Sequence, residues 1–244
     1  MRAALAAAVI ASCGSAPAPR PPVLEGVGQL VTAVIDDWDA TRATLRLWHR
    51  DGGTWVADGE PWQAVIGSGA AWGAGLHGRG APAGRKGPVK REGDGRSPAG
   101  AFALRAAYGY ADKPPAGTKL GYTAVDASWQ CVDDAKSAHY AQILDRRTTK
   151  PDWRSAEQMH RDDALYTWVI DVAHNAERTP AAGSCIFLHV WAGPDTTTIG
   201  CTAMPEPQLA HLLARLDPAR HPSYVLLTRA DYAALAAPWG LPAQ

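Results

Sequence analysis

Gly183-Ser184-Cys185-Ile186-Phe187-Leu188-His189-Val190-Trp191, a turn region over residues 192–199, and then Gly200-Cys201-Thr202-Ala203-Met204 set the reading of the whole chain. An apolar β-type run delivers His189 at its end, and past the turn a Gly-Cys pair opens the next apolar segment. Alternation along 184–190 puts Cys185, Phe187 and His189 on one face and Ile186, Leu188 and Val190 on the other. A strand-loop-strand of this kind can bring an imidazole back to a thiol. Because the thiolate is the reactive form of cysteine, Cys201 needs such a base beside it near neutral pH. Gly200 leaves the approach to the thiol open, and the amides of Gly200 and Cys201 are candidate oxyanion donors. The competing reading of the same residues is a buried core thiol and a structurally satisfied histidine.

Working outward, 166–172 (Tyr-Thr-Trp-Val-Ile-Asp-Val) reads as a strand entering the core. Downstream, Leu209, Leu212, Leu213 and Leu216 form a helical stripe ended by Asp217-Pro218, followed by a strand over 224–228 and a short tail from Trp239. The first third reads as a β-meander: runs at 29–36, 43–49, 54–57 and 62–67, with a turn signal at Asp51-Gly52-Gly53. Between 67 and 100 the chain turns to glycine, proline and charge. No Gly-Lys-Ser/Thr pair opens a helix there, which excludes a P-loop. Asp133 and Asp134 have no companion cluster at metal-ligand spacing, so they read as solvated or helix-capping, and Ser155 reads as the start of a short helix. The expectation is one mostly-β domain over residues 23–244, a sheet or sandwich core with a few short helices. Lys plus Arg and Asp plus Glu both total 24, so net charge offers no attraction for nucleic acid or an anionic membrane.

The Cys/His stretch resembles the L,D-transpeptidase (YkuD-type) catalytic domain, in the branch that carries Gly-Cys-Thr-Ala-Met. That family ends one strand on a His and, after a loop, has Ser/Thr-His-Gly-Cys. Here His189 matches the first histidine and Thr198-Ile199-Gly200-Cys201 the motif, except that Ile199 stands where the family has a second histidine. The segments 92–102, 129–140 and 152–159 also resemble that branch, with Ser97-Pro98-Ala99-Gly100 standing for its Thr-Pro-x-Gly. The resemblance implies peptidoglycan chemistry without metal or organic cofactor. Cys201 attacks the carbonyl on the L-centre of the third residue of a stem peptide, expels the terminal D-alanine, and passes the acyl group to a neighbouring amine. His189 is the implied base, and Arg96, Ser97 and Thr198 are candidate substrate contacts; Ser97 reads equally as part of a tight turn before a strand over 102–104. Val190 offers the base no side-chain partner, so a backbone carbonyl in the loop 192–198 is the expected orienter of His189. A same-fold carboxypeptidase or hydrolase, and a non-catalytic wall-binding lipoprotein, are the alternatives.

At the amino terminus, Met1-Arg2 and an apolar run to Ala11 read as a signal peptide over 1–12. Ile10-Ala11-Ser12-Cys13 resembles a bacterial lipoprotein box with Cys13 as the lipidated residue, and an ordinary signal peptide cut further on is the alternative. Residues 13–22 then form a proline-rich spacer. Either route predicts an exported bacterial protein, periplasmic or at the cell surface, touching membrane only through its anchor and binding no nucleic acid. With Cys13 assigned to the anchor and Cys201 to chemistry, Cys131 and Cys185 remain in an oxidising compartment, where a disulfide between them is the expectation and two separate buried thiols the alternative.

Overall fold

The computed structural model describes residues 22–244; the signal peptide, Cys13 and the spacer up to residue 21 lie outside the described residues. The meander is present as β1 (Gln29–Ile35), β2 (Arg42–Asp51), β3 (Thr54–Ala57) and β4 (Trp62–Val65). Short pieces follow, β5 (Ala70–Trp72), β6 (Ala74–Gly75) and β7 (Gly78–Arg79), then the longest strand, β8 (Ser97–Gly109), and β9 (Tyr122–Ala124). A separate three-stranded sheet is built from β10 (Trp129–Val132), β11 (Ile143–Asp145) and β12 (Ala156–Gln158). The chain then supplies β13 (Val169–Val172), β14 (Phe187–Val190), β15 (Thr202–Met204), α1 (Glu206–Arg215), β16 (Ser223–Thr228) and α2 (Arg229–Trp239). The protein is mostly β, as its alternating runs predict.

The main sheet closes on itself. Its order runs β1-β16-β8-β13-β14-β15-β4-β2, and β2 pairs back onto β1, so the ring has no free hydrogen-bonding edge. Every residue of β1 and of β16 is buried, and one apolar core extends from Leu24 to Leu241 around Trp72, Phe102, Tyr224 and Leu226. α1 lays Leu209, Leu212 and Leu213 on this core, the stripe read from the sequence. No described helix is long and apolar enough to cross a membrane.

Three local expectations are corrected. Residues 97–100 do not turn: they are already strand, because Ser97, Pro98 and Ala99 pair in parallel with β5. Gly100 is needed there, with φ of +138° and a backbone so close to the His77 ring that a Cβ would collide with it. The segment after Ser155 is β12 rather than a helix, because its backbone pairs antiparallel with β10, and Asp133 and Asp134 brace it through the Ser155 hydroxyl and the Arg154 amide. Residues 229–238, unassigned by the sequence pattern between the strand over 224–228 and the tail from Trp239, form α2 together with Trp239. Thr228 caps its first turn by accepting from the Asp231 amide, and Gly240 closes it in the left-handed conformation.

Candidate active site

β14 and β15 are parallel neighbours, with Leu188 opposite Thr202 and His189 opposite Ala203. Cys201 therefore stands one residue before β15, level with the start of β14. The turn that presents it is fixed by its own backbone. Gly200 adopts φ of +145°, a conformation that side chains resist. The Cys201 carbonyl accepts from two hydroxyls, Thr198 at 2.6 Å and Ser97 at 3.0 Å. Thr198 also accepts the Gly200 amide at 3.2 Å, and Ser97 the Gly67 amide at 3.0 Å.

These bonds revise the expected roles. Ser97 is fully buried and its hydroxyl is taken up by the Cys201 carbonyl, which makes it a brace of the turn. Arg96 binds the carbonyls of Trp38 and Ala70 and the carboxylate of Asp39, which ties the strand to the meander instead of reaching for a ligand. Thr198 does line the thiol's cavity, but its hydroxyl is engaged by the turn. The Gly200 amide is likewise engaged. The Cys201 amide, which donates to no described group, remains the candidate oxyanion donor of the pair.

The thiol is buried. Phe187 donates its amide to Sγ at 3.3 Å, and Sγ leans on the Cys185 carbonyl at 3.6 Å. Burial pushes the Cys201 pKa up to about 12, with the Glu157 charge adding to the rise; the Phe187 amide, the Tyr166 hydroxyl and the Lys90 charge oppose it. His189 is buried too, and burial brings its pKa down to about 4. Its Nδ1–H donates to the Val190 carbonyl at 2.7 Å, which leaves Nε2 with the lone pair. The orienting carbonyl is thus that of the next residue, not of the loop 192–198. No hydrogen bond joins the two side chains, though both line one cavity. The resting pair is a neutral thiol and a neutral imidazole, contrary to the expected thiolate, because neither charge is solvated there.

Two cavities meet at Cys201. One, of about 220 Å³, is lined by His189, Tyr166, Arg161 and the loop 196–199. The other, of about 300 Å³, is lined by Lys90, Glu92, Asp133, Ser184 and Cys185. Glu157 and Ile199 border both. Ile199, which stands where the motif it resembles has a second histidine, is 85% exposed. The structure joins Cys131 and Cys185 in a disulfide, with 5.9 Å between their Cα atoms, leaving Cys201 the free thiol among the described residues.

Glu157 and Tyr166 are the residues the sequence did not single out. The Tyr166 hydroxyl donates to Glu157, and its ring stands edge-on to Phe187 and His189, with centroids 5.8 Å and 5.1 Å away. Glu157 lay in a segment read as helix, and Tyr166 in one read only for its apolar alternation, so neither carried a local signal. Among the described residues no group of His, Cys, Asp and Glu side chains could hold a metal ion. Comparison of the chain with family models, with curated proteins and with solved structures gives no match.

Proposed function

We propose that the protein is a cysteine-dependent L,D-transpeptidase acting on peptidoglycan stem peptides through a thioester on Cys201. The observation that carries the reading is the thiol itself, the free cysteine of the described residues, held by the Phe187 amide where two cavities meet and sharing one of them with a carbonyl-oriented His189. An acyl-transfer enzyme needs two approaches to one nucleophile, for the donor and for the acceptor, and the two cavities offer them. The neutral resting pair suits a reaction in which the thiol loses its proton to Nε2 only as it attacks the donor carbonyl. The oxyanion then falls to the Cys201 amide, and His189 returns the proton to the leaving D-alanine amine. Export through an N-terminal lipid anchor belongs to the same proposal, since the substrate lies outside the cytoplasm.

Incubation with purified stem tetrapeptides, followed by intact-protein mass spectrometry, tests it. The wild type is expected to gain the tripeptide acyl mass and lose D-alanine. Cys201→Ala is expected to abolish turnover, the acyl adduct and any adduct with carbapenem-type β-lactams, which acylate the family it resembles. Turnover by the alanine variant would overturn the mechanism. Product analysis with and without an added amine separates transpeptidation from hydrolysis.

A further inference from the structure

His189 borders only the first of the two cavities, so a group arriving through the second has no imidazole to take its proton. Three carboxylates line that second cavity. Glu92 is engaged by the Tyr140 and Ser184 hydroxyls, and Asp133 by Ser155. Glu157 alone of the three also reaches the first cavity, so it stands in the wall between them, beside the thiol. Its placement is over-determined. On β12 it sits opposite Cys131 of β10, and Cys131 is bonded to Cys185, whose carbonyl receives the thiol. The Tyr166 hydroxyl ties the carboxylate back to the cluster that holds Phe187, His189 and Cys201.

We infer that Glu157 is the proton acceptor for the group that cleaves the thioester, and that Tyr166 carries this proton on to sulfur. The inference rests on the acyl-enzyme reading above. An unprotonated amine, or a water in the hydrolytic case, enters through the second cavity and attacks the thioester carbonyl. A nitrogen–carbon bond forms, the carbon–sulfur bond breaks, and its electron pair goes to Sγ. The proton lost by the nitrogen goes to the Glu157 carboxylate. Tyr166 gives its hydroxyl proton to Sγ as it receives the one on Glu157, which restores the resting thiol, phenol and carboxylate. Burial raises the Glu157 pKa above the ordinary carboxylate value, with Asp133 adding to the rise and Tyr166 and Arg161 opposing it, so the group is a better base than an exposed glutamate. His189 serves acylation and Glu157 deacylation: one thiol, two bases, one per cavity.

Single-turnover mass spectrometry on the full chain separates the two half-reactions. A stem tetrapeptide loads the acyl-enzyme, and a D-amino acid added as amine then discharges it. Glu157→Gln keeps an acceptor for Tyr166, and Tyr166→Phe keeps the ring. For Glu157→Gln the expected result is acylation within about threefold of wild type and discharge slowed on the order of a hundredfold. Wild-type discharge is expected to rise with pH as the Glu157 carboxylate ionises, in addition to the rise from the amine's own deprotonation, and Glu157→Gln should lose the first component and keep the second. Tyr166→Phe should slow discharge by about tenfold. Equal slowing of acylation and discharge would overturn the inference by showing Glu157 to be a structural brace, and so would unchanged discharge. If Glu157→Gln loses the fold by circular dichroism, Glu157→Asp, which retracts the carboxylate, gives the same readout. A wild type that never acquires the acyl mass overturns the thioester reading and this inference together, a result distinct from normal loading with unchanged discharge.

Discussion

The closed ring and the small sheet beside the thiol solve the same problem with different means. In the ring, β1 and β16 are buried end to end and no strand of the circuit is left with an open edge, so apolar burial and backbone pairing suffice. The sheet β11-β10-β12 has strands of three or four residues, two open sides and no fully buried residue on β11 or β12. It is fastened instead by a disulfide, by Tyr140 to Glu92, by Ser155 to Asp133 and by Tyr166 to Glu157. The ring carries stability; the small sheet carries polar groups to the thiol at the cost of weak intrinsic cohesion.

The difference predicts that site variants change chemistry without changing the fold. His189→Gln is expected to slow acylation on the order of a hundredfold or more while leaving the thermal midpoint within a few degrees. The imidazole packs edge-on against Tyr166, a member of the small cluster that contains Cys201. Rates from intact-mass time courses and a melting curve decide it. A collapse of the fold would mean that ring and site are one packing unit.

Breaking the staple should expose the contrast in stability. Cys131→Ser with Cys185→Ser removes a cross-link between residues 54 apart, with an expected loss of up to about 4 kcal/mol. Hydrogen exchange should localise it: the amides of β10 and β12 become labile, whereas β1 and β16 stay protected. Non-reducing peptide mapping of the wild type should recover the two cysteines linked. Uniform loss of protection across the ring would contradict a separable small sheet.

What the sequence makes legible follows the same division. β2 and α1 are readable because each buries a periodic face, and β1 and β16 because each is a largely apolar run buried on both sides. Cys201 and His189 are readable because their spacing spans one strand-loop-strand. Cys185 is a partial failure: it takes φ of +54°, so the alternation begins only at Phe187, and Cys185 turns to the disulfide. α2 is obscured by alanines all round and by Pro238 in its last turn. Glu157 and Tyr166 meet Cys201 only through the register of β12 on β10 and the packing of a phenol ring, neither of which has a sequence period.

Acid sharpens the comparison further. His77, His174 and His189 are each brought to about 4 from an ordinary 6.5, burial being the largest cause. As pH falls below 6.5 the unfolded chain binds these protons and the fold does not, so stability is lost between about 6.5 and about 4. Asp171, raised to about 6 by burial, works in the opposite sense because the fold takes its proton first; Glu157 is raised as well. With the three histidines outweighing the two carboxyls, a net loss of stability is expected between about pH 7 and about pH 5, read from urea midpoints. His189→Gln removes one of three equal histidine contributions, about a third of the acid loss they cause together, and should make the slope shallower without abolishing it. A slope abolished by this one substitution would mean that His189 alone governs acid stability.

The smallest effect is expected at Ile199, where the chain departs from the family it resembles. A histidine at this position would be read from sequence as repairing the motif. The side chain is 85% exposed and borders both cavities, so it has no packing of its own to lose and no fixed orientation toward Sγ. The turn is held by others: Gly200 through its φ, and Thr198 and Ser97 through the Cys201 carbonyl. Ile199→His is therefore expected to change stability by less than about 0.5 kcal/mol, the usual range for exposed positions. Acylation should stay within about threefold, because an exposed imidazole on a mobile rotamer adds little to a base already oriented by Val190. Melting curves and acyl-enzyme time courses on this one variant are enough to test it. A tenfold gain would mean that the mouth of the two cavities, and not the buried pair beneath it, limits the reaction, and the division between a rigid ring and a polar site would then need a third element at the rim.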